Sequence, residues 1–162
     1  MIRGIHHIAL HTANFDAMVK FYREGFGFEL VDADFRWGPN PEMDGRMGVT
    51  GAAARTQMLK SGNCYIELFD YASPPPRDGG PARPQDHGYT HFAVDVSDIA
   101  AECERLAKLG MTFAMPMPID FSVYKFVYGK GPDGNVIELL ENPAGTSQAL
   151  DNLANVTMAP AS

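Results

Sequence analysis

The chain has 162 residues, enough for one compact unit with a real core. It carries 13 Lys and Arg against 20 Asp and Glu, a net charge of −7, with 45% hydrophobic and 20% charged residues. Such a chain offers no basic stripe to nucleic-acid phosphates or to an anionic membrane surface, and it has no apolar run of about 18 residues to span a bilayer.

The segment Met1-Ile2-Arg3-Gly4-Ile5-His6-His7 has no apolar signal region, and Cys64 and Cys103 make no disulfide framework. The expectation is a cytoplasmic protein with two free thiols. Residues 5–12 alternate as a strand. Asn14 is expected to cap a helix with Phe15, Met18, Val19 and Tyr22 at helical spacing, ended by Gly25. Three β-rich stretches follow, about 26–33, 48–60 and 62–71. Residues 72–87, which include Ser73-Pro74-Pro75-Pro76, read as a linker. A second strand opens at Gly88. Ser97 or Asp98 then caps a helix with Ile99, Cys103, Leu106 and Ala107 on one face, ended by Gly110. Stretches at about 111–117, 122–130 and 134–141 complete the pattern, and the turn Gly131-Pro132-Asp133-Gly134-Asn135 precedes the last.

The chain therefore repeats itself. Gly4-Ile5-His6-His7-Ile8-Ala9-Leu10 corresponds to Gly88-Tyr89-Thr90-His91-Phe92-Ala93-Val94, and Tyr65-Ile66-Glu67-Leu68 to Val136-Ile137-Glu138-Leu139. His7 to His91 is 84 positions and Glu67 to Glu138 is 71, so the first half holds an insertion between Asp32 and Met47. The reading is an α+β fold of two βαβββ modules, 1–71 and 88–142, in one domain over 1–142 with a tail over 143–162. Side chains alternate along a strand, so Ile8, Leu10, Ile66 and Leu68 should lie under the first helix and His7 and Glu67 on the open face. The same alternation puts Phe92, Val94, Ile137 and Leu139 under the second helix and His91 and Glu138 on the open face. A carboxylate between Ile and Leu is costly to bury unless it is paired or holds a cation.

These openings, the Gly-Pro-Asp-Gly-Asn turn and the closing Ile-Glu-Leu-Leu-Glu resemble the vicinal oxygen chelate superfamily over residues 4–142. That superfamily includes glyoxalase I, methylmalonyl-CoA epimerase, extradiol dioxygenases and bleomycin- and fosfomycin-resistance proteins. The resemblance implies an open, cup-like mixed sheet with helices on its convex side. It also implies that His7, Glu67, His91 and Glu138 ligate one divalent metal ion, such as Ni, Co, Zn, Mn or Fe. Four protein ligands on a six-coordinate ion leave two positions for a bidentate enediolate or enolate, which the ion stabilises as a Lewis acid. A ring-cleaving dioxygenase needs three open positions and uses two His and one carboxylate, so Glu67 argues against it. A non-catalytic binding protein of the resistance type would not need the full ligand set.

The activity implied is proton transfer next to a carbonyl, by a lyase or isomerase acting on a small molecule, with Glu138 or Glu67 as the base. Glyoxalase I of the bacterial type tends to carry an Arg four residues past the first His ligand. His11 stands there, which argues against glutathione. Family members are commonly homodimers. The insertion Asp34–Arg46 is expected to form a lid, with Arg36, Trp37 and Arg46 suited to an anionic or aromatic substrate. His11 and Asp95 lie about 13 Å along their strands from the His ligands, at the substrate end or on a solvated rim. His6 is expected to support His7, and Tyr124, Phe126 and Tyr128 share a face that could meet substrate. Met115 and Met117 flank Pro116 and suit packing. Asn155-Val156-Thr157 is a glycosylation sequon without meaning in a cytoplasmic chain, and the tail suits a short helix through Leu150 and Leu153.

Overall fold

The computed structural model describes residues 4–77, 82–115, 118–121 and 124–153. Pro116, Met117, the Asn155 sequon and the end of the tail lie outside the described residues. The chain divides into two compact units, Ile5–Gly80, and Pro81–Ser162 together with Met1–Gly4. Each contains one mixed sheet with a helix against it.

In the Ile5–Gly80 unit, strand β1 (His7–His11) leads into helix α1 (Phe15–Phe26). Phe15, Met18, Phe21, Tyr22 and Gly25 form its buried face, at the spacing that returns a residue to the same side each turn. Asn14 holds the N-cap position but makes no side-chain cap; its own N–H is bound by Thr12 Oγ1 at 3.0 Å. The helix ends two residues later than expected. Gly27 is the left-handed terminator (φ 68°), and its N–H returns to the Arg23 carbonyl. Strand β2 (Glu29–Leu30), strand β3 (Phe35–Trp37), helix α2 (Pro41–Met47), strand β4 (Ala53–Lys60) and strand β5 (Tyr65–Ser73) follow.

The insertion forms an ordered strand and helix. β3 adds to β4, and Asn40 caps α2 by accepting from the Glu42 and Met43 N–H groups, with Pro41 at its first turn. The sheet order is β1-β5-β4-β2, with β3 also on β4. β1 runs parallel to β5 in the register Ile8↔Ile66 and Leu10↔Leu68. Leu10, Ile66 and Leu68, with Leu59, Met18 and Tyr22, make the buried core, and Ile8 is partly exposed at its edge. Arg55 ties helix to sheet. Its guanidinium lies 4.1 Å over the Phe15 ring and pairs with Asp16 at 2.8 Å and Asp34 at 2.7 Å.

The second unit repeats this plan with strand β6 (His91–Asp95), helix α3 (Ile99–Lys108), strands β7 (Thr112–Phe113), β8 (Ile119–Asp120), β9 (Lys125–Lys130) and β10 (Val136–Glu141), and a single 3-10 turn (Leu150–Asn152) in the tail. Its order is β6-β10-β9-β7, with β8 also on β9. Asp98, of the two candidate caps, accepts from the Ala101 N–H at 3.1 Å. Glu141 adds a second cap by accepting the Ile99 N–H at 2.8 Å. Ile99, Cys103, Leu106, Met111, Ile137 and Leu139 form the core. Gly129 lies where a Cβ would run into Met111 and Phe113, so only glycine lets this strand pack so closely. Cys64 and Cys103 are both free thiols. Among the described residues, no helix is long and apolar enough to cross a membrane.

Candidate metal centre and its surroundings

In the first unit, β1 and β5 bring His7 and Glu67 together. Ala9 is the register partner of Glu67, so the His side chain lies one pleat away on the same face. His7 Nε2 and Glu67 Oε2 are 3.4 Å apart. The other atom of each group is already engaged. His7 Nδ1 is 3.0 Å from His6 Nδ1, and Glu67 Oε1 accepts from Thr56 Oγ1 at 3.2 Å. His6 thus supports His7 directly and stacks on Tyr65.

The second unit repeats the pair at the same register, with Ala93 opposite Glu138. His91 Nε2 and Glu138 Oε2 are again 3.4 Å apart, and His91 Nδ1 is 2.9 Å from Thr90 Oγ1. Tyr128 sets its ring edge-on against His91 at 5.0 Å. The environment of Glu138 differs in one respect. Where Thr56 donates to Glu67, the corresponding position on β9 is Phe126. Burial pushes the Glu138 carboxyl above its ordinary range, against the opposing pull of His91. Burial also raises the Tyr71 and Tyr128 phenols, helped by the charges of Glu67 and Glu138 respectively.

Each pair suits a divalent ion. The donors are imidazole nitrogen and carboxylate oxygen, which Zn, Ni, Co, Mn and Fe accept. Bonds of about 2.0–2.2 Å place neighbouring ligand atoms roughly 3–3.5 Å apart, close to the separation seen in both pairs. A second partner on the remote ring nitrogen fixes the imidazole so that Nε2 faces the carboxylate. Each unit by itself supplies two such donors; among the described residues there is no group of three or more His, Cys, Asp or Glu placed for one ion.

The other sequence candidates fall in different places. Trp37 joins the open face of the first sheet, against Phe69 at 5.9 Å and Tyr71 at 6.2 Å and stacked on Phe35. Its Nε1–H is buried without a hydrogen-bond partner among the described residues. His11 lies on that face too. It packs edge-on against Tyr71, and its Nε2 accepts the Tyr71 N–H at 3.4 Å. Arg36 alternates to the helix side, register partner of Arg55, where it reaches Asp34 at 3.7 Å. Arg46 pairs with Glu42 at 2.7 Å on exposed α2. The structure therefore groups His11 and Trp37 with His7 and Glu67, and does not place Arg36 on their face. Tyr124 is partly exposed beside Phe121 and Phe126. Sequence reasoning missed Thr56 and Thr90. The strand register alone brings Thr56 to Glu67, whereas Thr90 stands next to His91 in sequence, just before β6.

The Glyoxalase/Bleomycin resistance protein/Dioxygenase superfamily model matches residues 4–139. The chain is 33% identical over 149 residues to a 2-epi-5-epi-valiolone epimerase from Actinomyces sp., covering 88% of this chain and 81% of that protein. It is 27% identical to a lactoylglutathione lyase from Haemophilus influenzae, covering 90% of this chain and 97% of that one. In structure it is similar to a glyoxalase family protein from Bacillus cereus, with a TM-score of 0.77 at 21% identity, covering 88% and 95% of the two chains. The fosfomycin resistance protein FosX from Listeria monocytogenes, solved with Mn(II) and sulfate, shares the fold with a TM-score of 0.58 at 16% identity, covering 89% and 96%. The chain belongs to the Glyoxalase/Bleomycin resistance protein/Dioxygenase superfamily.

Proposed function

We propose that this protein is a divalent-metal-dependent enzyme that moves a proton at a carbon next to a carbonyl, as an epimerase or glyoxalase-type lyase does. The reading is supported above all by the doubled pair: His7 with Glu67 and His91 with Glu138, each at 3.4 Å and each at the same strand register. All four are the proposed ligands. A bound ion would supply Lewis-acid stabilisation of charge on the substrate oxygen.

Glu138 is the proposed base. It is the more buried carboxylate of the two pairs and lacks the hydroxyl donor that Thr56 gives Glu67. A carboxylate without that donor binds a proton more readily, which suits one that takes a proton from carbon and returns it. His6 and Thr90 hold the imidazoles. Trp37 offers its unpartnered N–H to a substrate oxygen, and the Phe35, Phe69 and Tyr71 rings exclude water from that face. His11 and Tyr124 are proposed to line the substrate. Arg36 and Arg46 would reach an anionic group only by leaving Asp34 and Glu42. The 33% identity to a 2-epi-5-epi-valiolone epimerase supports epimerisation over action on a glutathione adduct, in line with His11.

Metal analysis of the purified chain, before and after reconstitution, tests this first. About one Ni, Co, Zn or Mn per chain is expected, followed by metal-dependent exchange of the α-proton in a screen of cyclic hydroxyketones, thiohemiacetals and acyl thioesters. No metal after reconstitution overturns the reading in favour of a binding protein. Iron with oxygen uptake overturns it in favour of a dioxygenase.

A further inference from the structure

Among the described residues of the second unit, Lys130 has no carboxylate partner, and it stands beside an apolar cleft. The cleft, of about 410 Å³, is lined by Pro84, Phe113, Ala114, Tyr128, Lys130 and Val136 among others. Lys130 is exposed on β9, register partner of Val136 on one side and Thr112 on the other. Most cations nearby in sequence are already engaged: Lys125 holds Glu141 and Arg105 holds Glu102, each within 2.8 Å. Among the described residues no acidic group lies within ion-pair distance of Lys130.

The repeat provides an internal control. Lys60 is the counterpart of Lys130, since Lys60 is opposite Tyr65 as Lys130 is opposite Val136. A cleft of about 320 Å³ also adjoins Lys60. There the facing strand places Glu29 opposite the lysine, where the second unit has Thr112. The first cleft thus carries its own counter-charge, and the second keeps a net positive charge over an apolar floor.

The second cleft also adjoins a proposed reaction centre. Tyr128 lines it, touches His91 and is the register partner of Glu138. His91, Val136 and Lys130 follow one another across three neighbouring strands. Strands lie about 4.8 Å apart, so the lysine backbone is about 10 Å from that of His91.

We propose that this cleft is a subsite for a small organic acid: Lys130 holds the carboxylate and Phe113, Ala114 and Val136 cover the apolar body, while the carbonyl end reaches the His91–Glu138 pair. On a chain of net charge −7, an anion is repelled by the general surface and held only where a local cation is uncompensated. The proposal rests on the proton-transfer reading for its orientation, but not for its binding step.

The test is NMR titration of the full chain, with chelator present, against hexanoate and against hexanol. Chelation removes any ion that could bind the carboxylate instead. Hexanoate is expected to shift the amides of Tyr128, Gly129, Lys130 and Val136. Lys130→Gln should weaken it about tenfold while leaving hexanol unchanged, and Ala114→Trp, which fills the cleft, should abolish both. Shifts located elsewhere, or equal affinity in Lys130→Gln, overturn the subsite even if metal-dependent proton exchange stands. Binding as expected with no exchange activity overturns the catalytic reading and leaves the subsite in place.

Discussion

At the scale of single residues, the two His–Glu pairs differ in what holds them, and each difference has a measurable outcome. Thr90 and Thr56 touch the proposed ligand groups without being ligands themselves. Replacing either with Val keeps the strand shape and removes one oxygen, so metal affinity should fall 10- to 100-fold with the fold intact, as competition with a chelating dye would show. Glu138→Gln should lower α-proton exchange about 10²–10⁴-fold. An equal loss in Glu67→Gln, with metal retained in both variants, would remove the assignment of the base to Glu138. Trp37 carries a buried donor without an acceptor. Trp37→Phe should therefore cost the fold little, and if the proposed substrate contact holds it should raise KM, since it removes a buried donor left unpaired in the fold. Both His–Glu pairs were legible in the sequence, since period-2 alternation and the repeat put His7 with Glu67, and His91 with Glu138, on the open face of each unit's sheet. The Thr56 hydroxyl was not, because a threonine four residues into a strand is ordinary until its cross-strand neighbour is known; Thr90 stands beside His91 in sequence, but sequence does not show which way its hydroxyl turns.

At the scale of elements, the helices were legible from apolar spacing and their ends less so. Gly25 read as a stop, yet it is buried inside α1 and the left-handed turn falls at Gly27. Either glycine could end a helix; packing against the sheet selects the second. The insertion read as a lid because it interrupts the repeat and carries Arg36, Trp37 and Arg46. Its strand forms because β4 extends far enough to pair with it, a non-local fact. Glu141 links three elements by capping α3 and holding Lys125 of β9. Lys125 first, then the Ile99 N–H, keeps its carboxyl below the ordinary glutamate range. Its folded pKa is depressed, so its contribution is complete above that range and disappears as pH falls through the folded value. Glu141→Gln should cost about 1 kcal/mol at neutral pH through the weakened cap, and the gap from wild type should close in acid, as urea melts at both pH values would report. Gly129→Ala forces Met111 and Phe113 aside and should cost about 1–3 kcal/mol in the same assay.

At the scale of the whole molecule, the repeat was the most legible feature, and each half has the strand order the other has. Ligand that binds only the folded chain stabilises it by mass action. At a hundredfold excess over Kd a divalent ion is worth about 2.7 kcal/mol, or roughly 5–10 °C in Tm for a chain of this length. A scan with and without chelator checks this, and no shift would count against the four ligands. The way the pairs are built also sets the order of events in the making of the protein. In each unit the histidine is on the opening strand and the glutamate on the closing one, joined by parallel pairing across 60 positions for His7 and Glu67 and 47 for His91 and Glu138. Neither pair exists in a nascent hairpin; each forms when the last strand of its unit docks beside the first. Any metal held by the proposed ligands would therefore be acquired late, after the last strand of each unit has docked, rather than acting as a seed for folding. The corresponding kinetic signature is a refolding rate indifferent to added Zn and an unfolding rate that Zn slows.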